Sequence, residues 1–166
     1  MMTLLFSTIT DLSAESAKIT ARRHGVIEMA EGRFVRLRLR PIPKWVSLVD
    51  LFVLGNRVHR TAAGDRCWLY YNQPWSCPNY LALKYVVSTR DATVATCRGA
   101  LQVLDEIARL KGTDAILCDA ANGRISDRLL GRCGWQAHKP SRWHRNFIKR
   151  FYGDYPAPLA DVFACD

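Results

Sequence analysis

Residues 80–135 constrain the fold of this chain more than any other stretch. Tyr80 to Thr89 is rich in aromatic and β-branched residues, the make-up of a strand. Behind it, Val94, Cys97, Leu101, Leu104 and Ala108 recur every three or four residues, an apolar stripe on a helix. Asp91 or Thr93 can cap that helix, and Lys111-Gly112 supplies a dipole-matched end with a left-handed stop. Ala115-Ile-Leu-Cys118 is short and apolar, as a buried strand is. Ile125, Leu129, Leu130 and Cys133 form the inner face of a second helix, with Asn122 upstream and Gly134 after it. Strand, helix, strand, helix in that order predicts an α/β chain. Where a strand feeds a helix N-terminus, free backbone N–H groups and the positive dipole end offer a seat for a phosphate.

The flanks are less regular. Thr3 to Ile9 reads as an edge strand, and Ser13 to about His24 as a helix capped by Ser13 and stopped by Gly25. Val26 to Ala30 is open between more helix and something else. Arg33 to Arg40 alternates, with Val35, Leu37 and Leu39 on one face and Arg36, Arg38 and Arg40 on the other, the period of a half-buried strand with a basic outer face. Pro41 and Pro43 end it. Lys44 to Leu54 is apolar and fits helix or buried strand equally. Cys67 to Tyr71 is a strand, Asn72 to Asn79 a loop, and Trp143 to Phe151 a final strand. The tail from Tyr155, with Pro156 and Pro158, packs irregularly.

At 166 residues, with no linker-like stretch and no repeat, the chain reads as a single domain, 1–166. Its 49% hydrophobic and 23% charged residues exclude a disordered composition. No run approaches the roughly 18 apolar residues of a membrane span. The start lacks the basic and apolar regions of a secretion signal, so the expectation is a cytoplasmic protein with its six cysteines reduced and mostly buried. Cys67, Cys77, His138 and His144 do not have the spacing of a zinc site, and no metal is expected. The net charge of +9 calls for something anionic: nucleic acid, an acidic protein surface or a phosphorylated cofactor.

The stretch 80–138, with Asn122-Gly-Arg-Ile-Ser-Asp-Arg-Leu-Leu-Gly-Arg-Cys-Gly-Trp135 at its end, resembles the second half of the GNAT acetyltransferase superfamily. The resemblance implies a mixed, mostly antiparallel sheet flanked by helices on both faces. It also implies acetyl-CoA as cosubstrate and an amine as acceptor. On this reading Val87 offers its N–H to the thioester carbonyl and Thr89 serves the pantetheine arm. Arg90 and the N–H groups of Thr93, Val94 and Ala95 face the diphosphate, and Asn122 bonds the pantetheine amide, although it is equally well explained as a plain helix cap. All of this requires the amides between Thr89 and Ala95 to be unblocked. Two departures stand out. The family's phosphate turn matches best at Arg90-Asp-Ala-Thr93-Val-Ala95, with Thr93 where glycine is expected; aligning from the helix end instead puts Ala92, Ala95 and Cys97 there. Leu130 stands where many members carry a proton-donating tyrosine.

The function expected is therefore acyl-CoA-dependent N-acetyl transfer to an unidentified amine. Acyl transfer needs a held thioester, a polarised carbonyl and a proton acceptor for the amine. Glu28, His59 and Tyr85 are candidates for that acceptor, none of them within a motif. Ser141 beside His138 or His144 lacks the surroundings of a nucleophile. The alternative is a GNAT-like module without catalysis that binds nucleic acid or another anionic partner. Arg132, Trp135, His138, Lys139, Arg142, Trp143, His144, Arg145, Phe147, Lys149, Arg150, Phe151 and Tyr152 interleave cations and aromatics, as single-strand binders do. With Arg36, Arg38 and Arg40 they would form one basic face. The competing view of the same stretch is a strand whose aromatics pack inward.

Overall fold

The computed structural model describes residues 6–41, 61, 63–119, 126–139, 145–157 and 160–163. Its elements run β1 (Ser7–Ile9), α1 (Ser16–Ala21), β2 (His24–Ala30), β3 (Arg33–Arg40), β4 (Arg66–Asn72), β5 (Tyr80–Ser88), α2 (Val94–Lys111), β6 (Ala115–Asp119), α3 (Asp127–Arg132), β7 (Gln136–Ala137), β8 (Asn146–Arg150) and α4 (Ala160–Phe163). The strands join in one sheet with the order β1-β3-β2-β4-β5-β6-β8-β7. Every pairing is antiparallel except β5 with β6, which α2 connects. The fold is thus the mixed, mostly antiparallel sheet with helices that the sequence predicts.

The helix expected up to His24 stops at Ala21, and His24–Ala30 is a central strand. Ladders on both sides decide this: β2 pairs with β3 along one edge and β4 along the other, satisfying its backbone groups non-locally. Gly25 is not a helix stop. It lies under the Tyr71 ring, where an added Cβ would come within 2.6 Å of Tyr71 Cε1. β3 spans the residues expected, but a bulge opposite Glu28 and Met29 breaks its alternation. Leu37 and Leu39 are buried as predicted, whereas Val35 turns outward and Phe34 packs inward against Phe163.

α2 lies across the central strands, packing on β2, β4 and β3, with α1 against it and α4 against β3. Leu101, Leu104 and Ala108 are buried along the predicted stripe, joined by Ala100, Val103 and Ile107; Val94 is exposed. Thr93 caps the helix by accepting from Thr96 N–H at 3.2 Å, and Gly112 closes it in the left-handed conformation, φ 62°. Ser126 caps α3 by accepting from Leu129 N–H at 3.2 Å. The apolar stretch 45–54, His59, Asn122, Ser141 and His144 lie outside the described residues. Among the described residues no helix is long and apolar enough to cross a membrane, and no group of three His, Cys, Asp or Glu could hold a metal.

Candidate functional site

Among the described residues, β5 and β6 are paired from Tyr80–Ala115 to Leu83–Cys118. The described part of β6 ends one residue further on, at Asp119, while the ladder between β5 and β4 continues to Ser88. β5 carries a bulge: Tyr70 faces Tyr85 and Tyr71 faces Leu83, leaving Lys84 as the extra residue. Thr89 N–H donates to Arg66 O at 3.0 Å. By the alternation of an antiparallel ladder, Tyr85 and Val87 then direct their backbone groups to β4, and Val86 and Ser88 direct theirs to the opposite side. The N–H groups turned away from β4 on either side of Val87 are those of Val86 and Ser88, because the bulge shifts the alternation by one residue.

The start of α2 differs from the open turn that the sequence predicts. Asp65, just before β4, accepts the Thr93 N–H at 2.8 Å through Oδ1. Its Oδ2 accepts the hydroxyls of Thr93 at 2.8 Å and Thr96 at 2.7 Å. Thr96 Oγ1 in turn accepts Gly32 N–H at 2.8 Å. A carboxylate thus already sits on the helix terminus where a phosphate was expected, and the Thr93 amide is taken. Burial works to raise the Asp65 pKa, but the three hydrogen bonds outweigh it and hold the carboxyl below its ordinary value. The N–H groups of Val94 and Ala95 have no partner among the described residues, and Arg90 is exposed with no ion pair among them. Thr89 is buried, and its hydroxyl donates to Gly64 O at 2.5 Å and accepts Arg66 N–H at 3.0 Å. That side chain is committed to tying β5 to β4.

Of the expected proton acceptors, Glu28 is held otherwise. It is buried, and accepts from Arg36 at 2.7 Å and Arg38 at 3.3 Å. Burial favours its neutral form, yet the Arg36 hydrogen bond and the charges of Arg36, Arg38 and Arg66 prevail and lower its pKa. Tyr85 lines a pocket at the β5 bulge together with His24, Gly25, Arg40, Tyr70, Tyr71, Asn72 and Lys84. His24, absent from the sequence-based candidates, is buried, and its Nδ1 lies 3.1 Å from Asn72 Oδ1. Burial most of all, then the charges of Arg23, Arg40 and Lys111, lower its pKa against the raising effect of the Asn72 contact. No sequence signal singles it out, because Asn72 and Arg40 meet it only through strand pairing.

The interleaved stretch near the end of the chain does not present an aromatic platform among the described residues. Trp135, Phe147 and Phe151 are buried in the core. Lys149 donates to Asp105 at 2.6 Å, Arg145 pairs with Asp127, and Arg150 donates to Gln136 at 2.9 Å. Among the described residues of the stretch, Tyr152 is the exposed aromatic, at 73%. The inward-packing view of these residues is the one the geometry follows.

No family model and no curated protein matches the chain. Among solved structures, nourseothricin acetyltransferase is 11% identical, covering 88% of this chain and 98% of its own, with a TM-score of 0.42. A likeness that loose leaves the chemistry to be argued from the residues.

Proposed function

We propose that the chain is a single-domain, GNAT-like N-acyltransferase that takes its acyl group from acetyl-CoA and passes it to an amine. The bulge of β5 at Lys84 carries this reading. It turns the N–H of Val86 to the side of β5 away from β4, the arrangement needed to polarise a thioester carbonyl without a charged side chain. In this proposal the pantetheine arm runs along Val86, Val87 and Thr89, and the diphosphate meets Arg90 and the amides of Val94 and Ala95. Thr93 contributes only if Asp65 gives way. Asn122 keeps its proposed place at the pantetheine amide.

The test is a thermal-shift titration. Acetyl-CoA at a hundred times its Kd adds about 2.7 kcal/mol of stability, a Tm rise of roughly 5–10 °C for a chain of this size. Arg90→Glu is expected to abolish the rise. A flat response up to millimolar acetyl-CoA overturns the proposal.

Asp65 favours a second reading, in which the helix terminus is permanently filled and the protein is a non-catalytic module for an anionic partner. A single-stranded oligonucleotide would then bind with a steep salt dependence, weakened by charge reversal at Arg142 and Arg145. With Trp135, Phe147 and Phe151 buried, that binding would be electrostatic and indifferent to base identity.

A further inference from the structure

Two free thiols meet where α2 packs on β4. Cys67 is on β4, two residues past Asp65, and is wholly buried. Cys97 lies in the first turn of α2, its N–H donating to Thr93 O at 3.2 Å, and is half-buried against the same core. The neighbours of the pair fix its place: Thr96, just before Cys97, donates its hydroxyl to Asp65 Oδ2 at 2.7 Å. Within that frame the Cys67 thiol donates a hydrogen bond to the Cys97 sulfur. The bond first, then burial, pushes the Cys67 thiol up, whereas the same bond lowers the pKa of Cys97 against burial and the charge of Asp65. Cys97 is therefore the sulfur that carries the thiolate, beside the positive end of the helix, and it is the one that solvent reaches. At Cys118 and Cys133 burial prevails and raises both, Cys118 to about 12.

We infer that Cys67 and Cys97 are a redox-modification site, closed by a hydroperoxide into a reversible disulfide that ties the first turn of α2 to β4. Side chains that already face one another across packed backbones meet the first requirement of such a bond. The Cys97 thiolate attacks one peroxide oxygen, the O–O bond breaks, and the departing hydroxide takes up the proton that Cys97 had shed. The sulfur of Cys67 then displaces the sulfenic hydroxyl of Cys97, which leaves with the Cys67 proton as water. In sum, two thiols and one hydrogen peroxide give one disulfide and two waters; the sulfurs lose two electrons and the peroxide gains them. A dithiol reductant returns both electrons and both protons. The bond fixes β4 against α2 where Asp65 holds Thr93 and Thr96, so Asp65 no longer gives way to a diphosphate. This consequence, unlike the disulfide itself, rests on the acyltransferase reading.

The folded, unsubstituted protein is treated with one molar equivalent of hydrogen peroxide, its remaining thiols are alkylated, and its peptides are mapped by mass spectrometry without reduction. The expected main product is the peptide pair joined through Cys67 and Cys97, lost again on treatment with dithiothreitol. In Cys67→Ala, the sulfenic acid of Cys97 is expected to persist and to be trapped by dimedone. Recovery of Cys67 as an alkylated free thiol, passage of Cys97 to the sulfinic acid without linkage, or consumption of the peroxide at Cys77 overturns the inference. Calorimetry then compares acetyl-CoA binding before and after oxidation, with Kd expected to weaken at least tenfold and to recover with dithiothreitol. A disulfide that forms while Kd stays the same keeps the modification site and removes its effect on the helix terminus. A disulfide that forms in a protein whose reduced state ignores acetyl-CoA keeps the site and removes the acyltransferase reading.

Discussion

A carboxylate at the first turn of α2 does for that turn what a bound anion would do: it accepts an exposed N–H and lies at the positive end of the dipole. Asp65 and an incoming diphosphate therefore compete, and one substitution separates their effects. Asp65→Asn removes the charge while keeping the shape of the side chain. It is expected to lower stability by about 1 kcal/mol in urea unfolding, as the loss of a helix cap does. Acetyl-CoA affinity, measured calorimetrically, should rise several-fold. If affinity falls along with stability, Asp65 shapes the site and does not block it. None of this was legible in the sequence. Asp65 lies 28 residues from Thr93, and only the pairing of β4 with β5 brings the two together. Thr93 itself was legible as a cap, because that interaction lies within one turn.

Local signals served well for elements whose ends are set by nearby residues. Gly112 ends α2 with φ 62°, its N–H bonded to Ala108 O and Arg109 O. No heavy atom lies within 4 Å of an added Cβ there, so Gly112→Ala tests backbone conformation alone. The expected cost is about 1 kcal/mol, read from the urea midpoint; no change would mean that α2 can end without the left-handed residue. The prediction failed where the ladder overrides local preference. The helix formers from Ala14 to Arg22 yield only the six residues of α1, because the next segment is drawn into the middle of the sheet. The bulge at Val35 was equally invisible, since alternation marks faces but not the place where a strand skips a residue.

At the scale of the molecule, the Asp105–Lys149 pair ties the middle of α2 to β8 in a region shut off from water, the two side chains being 6% and 11% exposed. Asp105 Oδ1 has no partner among the described residues. Burial pushes the carboxyl up from 3.8 to about 6, with the charge and hydrogen bond of Lys149 opposing. A folded pKa above the unfolded one means that the folded state holds this proton more tightly. The contribution to stability is full below about pH 4 and is lost as the pH rises through about 6. Glu28 and Asp65 act in the opposite direction, each contributing stability that is lost as the pH falls. The Asp105 contribution is isolated by comparing the native protein with Asp105→Asn. Between pH 4 and pH 7 the difference in their unfolding free energies should change by about 2 kcal/mol, to the disadvantage of the native protein. A difference independent of pH would show that Lys149 keeps Asp105 ionised throughout.

By itself the sequence determined the order and type of the elements from Tyr80 to Arg132, the caps of α2, the basic strand β3 and the strand–helix order that places a helix terminus after a strand end, but not β7 or the helix α4 in the tail expected to be irregular. Hydrophobic period and turn chemistry act over a few residues, and such information is written along the chain. Only the tertiary structure decided that Asp65 fills that terminus, that Glu28 is clamped by two arginines, and that His24, Arg40, Asn72 and Lys84 share a pocket. Those groups meet through strand register across tens of residues. A single skipped residue at Lys84 redirects every amide after it, a change that no local pattern records.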